Sequence, residues 1–272
     1  MRSHLRVTSL GSGSSGNALL IQTVEATLLV DCGVGVRRLT SSLGSLGIGL
    51  ADIDAVVISH EHGDHIRELH RFVAAGKPVI STRGTSLAAR VPAQASVECI
   101  ATRPIKFKNL EIVSIPVTHD AAEPCGFLVR TNAGSVTVLT DLGSTSGAAA
   151  EAIAESHLVV IEANHDETML RRGPYPLHLQ RRILSDTGHL SNTDCGELLA
   201  TALRGSRNLP TVWLAHLSET NNRPHVARQS VTRRLAHSGL VLDIHSLPRR
   251  SASETWRPDT ARQGVSQLTL DL

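Results

Sequence analysis

The run Ser59-His60-Glu61-His62-Gly63-Asp64-His65 constrains this chain more than any other segment. Three histidines and an aspartate crowd into it as potential ligands, directly after the apolar run Ala55-Val56-Val57-Ile58. A short apolar run of that kind reads as a strand buried on both faces. The polar side chains then fall in the turn at the strand's end, where they can converge on one point. Imidazole and carboxylate donors together suit Zn, Mn or Fe rather than Ca or Mg. No cysteine lies near, which excludes a Cys/His finger. A solvent-exposed turn would set these groups side by side uncompensated, so a metal site is the better reading.

Around the cluster, strand and helix patterns alternate. Strands are expected over 5–10, 18–23, 26–31, 53–59, 78–81, 105–108, 110–117, 126–131, 135–140, 158–163, 211–216 and 240–244. The second and third form a hairpin across Val24-Glu25, and 11–17 is a tight glycine-rich loop. Helices are expected over 35–46, from Ile66 through Val73, and over 147–156 and 224–237. Residues 166–202 look mostly helical, broken at Gly173-Pro174 and at Gly188. Hairpins mixed with strand–helix alternation point to an α/β layered architecture with mixed sheets. One domain is expected over 1–248, and the polar composition from Arg249 predicts a loosely ordered tail over 249–272.

The spacing His60-x-His62-x-Asp64-His65 resembles the signature of the metallo-β-lactamase superfamily. That resemblance implies an α/β fold, the αββα four-layer sandwich with two mixed β-sheets, with metals at one edge of the sheets. It implies three further ligands at the ends of later strands, and the chain supplies His119, Asp141 and His216. By the same resemblance His60, His62 and His119 hold one divalent ion, Asp64, His65 and His216 hold a second, and Asp141 bridges them. Zn or Mn is expected, and Fe is compatible. Lactam-hydrolysing members carry a cysteine near the bridging position. Asp141 stands here instead, which favours the phosphodiesterase side of the superfamily.

Longer stretches resemble the YycJ/WalJ-type exonucleases of bacteria. They are Leu10-Gly11-Ser12-Gly13-Ser14-Ser15-Gly16-Asn17, Glu162-Ala163-Asn164-His165-Asp166, Arg172-Gly173-Pro174-Tyr175-Pro176 with Arg181-Arg182, Gly188-His189-Leu190-Ser191-Asn192, and Ala215-His216-Leu217-Ser218. This similarity implies a 5′-to-3′ DNA exonuclease that hydrolyses phosphodiester bonds with water activated between two cations. Asp64 is the expected catalytic carboxylate, with Asp141 as the alternative for orienting the water. His189 sits in a Gly-His-x-Ser turn ahead of a helix and suits protonation of a departing 3′ oxygen; the plainer alternative is a capping-loop histidine. Ser12 and Ser14 offer polar groups to a phosphate, and Arg172, Arg181 and Arg182 suit phosphate-backbone contacts. A small-molecule hydrolase of the same fold (cyclic phosphodiesterase, lactonase or thioesterase) would use the same metal ligands. A non-enzymatic regulator is disfavoured by the completeness of the ligand set.

Composition narrows the partners. Formal net charge is +2, so the whole chain is no polyelectrolyte binder. Its distribution is uneven: residues 1–167 hold 13 Lys/Arg against 17 Asp/Glu, and 168–262 hold 14 Arg against 7 Asp/Glu. The second half is a candidate face for a phosphate-bearing partner, and a solvated surface is the equal alternative. Aromatic residues are few, at 2%, so a nucleic-acid substrate would be held mainly through its backbone. Cys32, Cys99, Cys125 and Cys195 form no CxxC pair, no leader pattern opens the chain, and no apolar run reaches bilayer length. The expected setting is cytoplasmic, with DNA as first partner and no membrane; a homodimer is compatible.

Overall fold

Alternation along the central strands decides the architecture. Leu28 and Leu29, Val56 and Val57, and Val159 and Val160 are neighbouring pairs whose members belong to different apolar cores. Successive strand residues face opposite sides, so each sheet is covered on both faces. A computed structural model describes residues 4–206 and 208–258. The first sheet contains β1 (Arg6–Gly11), β2 (Ala18–Gln22), β3 (Thr27–Val30), β4 (Ala55–Val57), β5 (Val79–Ser81) and β6 (Ser96–Glu98), in that order. β1 to β3 are antiparallel and β3 to β6 parallel. The second contains β7 (Pro104–Phe107), β8 (Leu110–Pro116), β9 (Cys125–Thr131), β10 (Gly134–Leu139), β11 (Leu158–Glu162), β12 (Thr211–Ala215) and β13 (Ile244–Ser246). Here β7 to β10 are antiparallel and β10 to β13 parallel.

The helices are α1 (Val36–Ser45), α2 (Gly63–Ile66), α3 (Leu69–Ala74), α4 (Arg83–Ala88), α5 (Gly147–Glu155), α6 (Glu167–Arg172), α7 (Leu177–Ile183), α8 (Asn192–Ala202) and α9 (Pro224–Ala236). Leu39 and Leu43 of α1 and Phe72 of α3 pack on the outer face of the first sheet. Ile153 of α5, Leu199 of α8 and Val231 of α9 pack on the second. Between the sheets lie Val7, Leu28, Val57, Phe127, Val160 and Trp213. This is the four-layer αββα sandwich. Because β3 and β4 run in parallel, and β8, β10, β11 and β12 share one direction, the residues after each group fall on one edge. No helix among the described residues is long and apolar enough to cross a membrane.

Three local readings change. The last strand is Ile244–Ser246 rather than 240–244, because Leu240 N–H donates back to Leu235 O and Gly239 takes φ 70°, closing α9 through those residues. The helix leaving the histidine cluster is two short ones, α2 and α3, and α4 and β6 were not anticipated. Residues 249–258 are no loose tail. Val7 and Trp256 exchange backbone hydrogen bonds of 3.1 and 2.9 Å, and Ser253 N–H donates to Ser9 O. Trp256 is 6% exposed within the inter-sheet core. The polar residues of this strap satisfy the otherwise unpaired edge of β1, which composition alone does not reveal. Residues 259–272 lie outside the described residues.

Replacing Trp256 by Ala is expected to cost about 3–5 kcal/mol of stability, the usual range for a buried aromatic. Glu254→Ala, exposed on the same strap, is expected to stay within about 0.5 kcal/mol of wild type. Urea denaturation checks both, and equal midpoints for the two variants would contradict the packing role.

Candidate metal centre and adjoining cleft

Strained turns carry the donors to one place. Asp31, Asp141 and His216 follow β3, β10 and β12 and adopt φ of 58°, 54° and 51°. Such left-handed conformations cost roughly 1 kcal/mol or more for non-glycine residues and persist where surroundings fix them. Gly33 shows how tightly they are fixed: a β-carbon there would lie 1.5 Å from the Asp64 carbonyl oxygen. Asn17 and Cys32 N–H groups donate to Asp64 O and His65 O at 2.8 and 2.7 Å. The loops after β1, β3 and β4 are therefore locked together.

All seven residues expected as ligands meet at this edge. Donor atoms lie within 4.8 Å of one another in each of four overlapping groups: His60, His62 and His119; Asp64, His65 and His216; His60, His65 and Asp141; and Asp141, Glu162, His189 and His216. Most of the imidazoles are clamped through Nδ1. His65 donates to Asp31 Oδ2 (2.7 Å), His119 to Gly188 O (3.0 Å) and His216 to Glu162 Oε1 (2.8 Å). The Ser59 hydroxyl lies 3.0 Å from both Asp31 oxygens and 3.0 Å from His60 Nδ1. Donating to the carboxylate, it accepts from the imidazole. Each clamp turns Nε2 toward the cage, where it can ligate a cation once unprotonated.

Those atoms face a common space. Nε2 of His60 and of His216 and Oδ2 of Asp141 are buried without a hydrogen-bond partner. His65 Nε2 is 2.9 Å from Asp141 Oδ2 but out of line for a hydrogen bond, and the Asn17 amide nitrogen lies 3.0 Å from the same Nε2. Buried polar atoms without partners require explanation, and imidazole nitrogens converging with carboxylate oxygens fit a divalent cation.

Charge balance points the same way. Burial opposes ionisation of Asp141, but His216 and His65 outweigh it and hold the carboxyl well below its usual range. Burial likewise loses to His216 and His65 at Asp64, and to His189 and His216 at Glu162, each brought down to about 2. Reciprocally, Asp31 and Asp141 overcome burial to raise His65, and Asp141, Asp64 and Glu162 push His216 up to about 10. His60 goes the other way, to about 2, through burial and the charge on His65.

His189, in the turn between α7 and α8, joins this cage. Its Nδ1 lies 2.9 Å from Glu162 Oε1 and 3.4 Å from Asp141 Oδ1. It is partly exposed and lines a cleft with His119, Asp120, Tyr175, Arg182 and Ser14. Burial opposes its charge, yet Glu162 raises its pKa. Arg182 and Ser14 thus reach the cleft, with Arg182 paired to Asp120 at 2.5 Å. Arg172 and Arg181 are exposed and do not line it. Ser12 is buried, and its hydroxyl accepts from His216 N–H at 2.8 Å. Its side chain holds a cage residue in place and does not line the cleft.

Two essential clamps, Asp31 and Glu162, escaped the sequence reading. Both close apolar strands, as Asp141 does, and that signal was available at each. Glu162 is fully buried and satisfies four groups: His189, His216 and the N–H groups of Leu142 and Leu190.

Known proteins resemble this chain in sequence and in fold. Residues 26–213 match a family model described as a beta-lactamase superfamily domain. Exodeoxyribonuclease YycJ of Bacillus anthracis is 34% identical over 253 residues, covering 89% of this chain and 94% of the relative. Exodeoxyribonuclease WalJ of Streptococcus pneumoniae serotype 2 is 33% identical over 243 residues, covering 86% and 90%. The metallo-beta-lactamase fold protein YhfI from Bacillus subtilis superposes with a TM-score of 0.67 at 17% identity, covering 94% of this chain and all of that one.

A cation entering the cage must displace protons from His65 and His216, whose pKa values are raised. Affinity for Mn or Zn is therefore expected to rise with pH between about 6 and 8, by about tenfold per unit for each proton displaced. Calorimetric titration of the metal-stripped protein at several pH values measures this. A pH-independent affinity would contradict the charge balance.

Proposed function

The chain belongs to the metallo-β-lactamase superfamily and, within it, to the group of the YycJ and WalJ exodeoxyribonucleases, and from that premise we propose that its cage holds two divalent cations and that it hydrolyses DNA from the 5′ end. His60, His62 and His119 would hold one cation, Asp64, His65 and His216 the other, with Asp141 between them. Bound there, Zn or Mn ions supply a nucleophilic water near neutral pH and neutralise charge on the phosphate oxygens.

The protein's own groups then have distinct tasks. Asp64 is the most exposed carboxylate of the cage, its side chain 23% accessible against 3% for Asp141 and 0% for Glu162. It is therefore the one placed to orient a water and accept its proton. Glu162 fixes His189 with Nδ1 as the bound nitrogen, so Nε2 is left for substrate. The same carboxylate favours the imidazolium, which gives Nε2 a proton for the departing 3′ oxygen. Arg182 and Ser14 line the cleft into which the strand would extend.

The observation that carries this reading is His189 braced on Glu162 at the border of cage and cleft. A protein that only stores metal needs no such proton donor. A small phosphodiester could use the same proton donor, and the similarity to the two exodeoxyribonucleases is what favours DNA over it.

Asp64→Ala is expected to lose nuclease activity while keeping the wild-type circular dichroism spectrum. His189→Ala is expected to lose about 10²–10⁴-fold in kcat with metal content unchanged. As an acid, His189 works below its raised pKa, so wild-type kcat should fall as pH climbs through that value, and the alanine variant should lose this alkaline limb. Strands labelled at either end, single- and double-stranded, with Mn and with Zn, test substrate and polarity together. Release of 5′-terminal mononucleotides first is the expected result, and an internal ladder would refute the exonuclease assignment.

A further inference from the structure

Arg249 on the C-terminal strap meets the glycine-rich loop after β1, and the mechanism above does not use it. It is held at both ends. Its carbonyl accepts from Arg38 Nη1 at 3.4 Å, and its Nη2 donates to Leu217 O. The guanidinium lies against Gly13, where a β-carbon would sit 2.9 Å from Nη1 and 3.5 Å from Nη2. Gly13 also has φ 126°, so the loop reaches this contact only with glycine. Gly13 precedes Ser14 and Leu217 precedes Ser218, and both serines line the cleft that contains His119 and His189. The guanidinium thus touches the residues just before both serines, beside the cleft rather than among the residues that line it.

Among the described residues no carboxylate pairs with this charge, and Glu219 acts on it only from beyond ion-pair distance. Arg249 is half-buried and makes no ion pair among the described residues. The neighbouring acid, Glu219, is taken by Arg250 at 3.1 and 3.3 Å. A guanidinium presents five N–H donors in a planar fork, and among the described residues the bond to Leu217 O is the one hydrogen bond the Arg249 side chain makes. Holding a partly desolvated cation without a counter-charge is unfavourable, and the remaining donors match two oxygens of a phosphate. Pinning the strap does not call for a charge: the Arg38 contact and the pairing with β1 already hold it.

We propose that Arg249 binds a phosphate of the substrate strand other than the one cleaved, with the adjoining nucleotide lying along the cleft. This rests on the nuclease reading of the site. Tyr175, the chain's single tyrosine, lines the same cleft with Leu179 and Ile183. Together they offer an apolar wall for a base. The phosphate is either a terminal monoester or the next diester, and the chemistry of recognition is the same.

The test is steady-state cleavage by the full-length, Mn-loaded protein of one single-stranded oligonucleotide carrying either a 5′-phosphate or a 5′-hydroxyl. Arg249→Gln is expected to raise KM roughly ten- to a hundredfold, the worth of a charged hydrogen bond, with kcat within about twofold of wild type. Arg249→Lys keeps the charge and should recover part of the loss. A KM effect confined to the 5′-phosphorylated strand assigns Arg249 to the terminal phosphate, and an equal effect on both assigns it to an internal one. Unchanged KM on both strands, or a glutamine variant whose only defect is a lower melting temperature, overturns the proposal. Wild-type protein that cleaves neither strand removes the nuclease reading itself. Wild-type cleavage matched by the variant removes only the role of Arg249.

Discussion

Three buried carboxylates constrain how the strands of this molecule can end. Asp31, Asp141 and Glu162 are each at most 2% exposed, and a buried carboxylate must be met by a proton, a cation or hydrogen-bond donors. They solve the problem jointly by sharing histidines. His65 stands between Asp31 and Asp141, His216 between Asp141 and Glu162, and His189 against Glu162. The sharing works only if strands from both sheets end in step, which the common direction of β3 and β4, and of β8, β10, β11 and β12, provides. The left-handed turns at Asp31, Asp141 and His216 are the local cost of that convergence.

Glu162 is the junction of this network. One carboxylate oxygen serves both His216, in the cage, and His189, in the cleft. Whatever changes the charge on His216 changes how strongly Glu162 holds the proton of His189. Cage and cleft histidine are therefore one electrostatic unit and not two neighbouring parts.

Much of this was legible in the sequence, for reasons that differ by residue. The cluster His60 to His65 stands out because ligands are dense and follow a strand of unmistakable pattern. His119, Asp141 and His216 were found because a polar residue ending an apolar run is informative once a cluster exists to join. Asp31 and Glu162 carry the same signal, but nothing local says that a strand-end acid binds an imidazole from another strand. Ser12 looked like a phosphate contact. Its real partner, His216 N–H, is 204 residues away in sequence, and no local pattern encodes such an approach. Arg249 and Trp256 were hidden by the polar residues around them, because sheet-edge pairing depends on backbone groups that every sequence possesses.

The strap on β1 bears on how the chain is made. Thr8 and Thr255, hydrogen-bonded at 2.9 Å, are 247 residues apart. During synthesis β1 emerges well ahead of the strap, and its outer edge waits for the 247 residues between Thr8 and Thr255 before its native partner arrives. Throughout that interval an unpaired strand edge is available to any other chain nearby. A product shortened ahead of residue 253 would keep that edge open permanently, retaining every cage residue while gaining a surface suited to self-association.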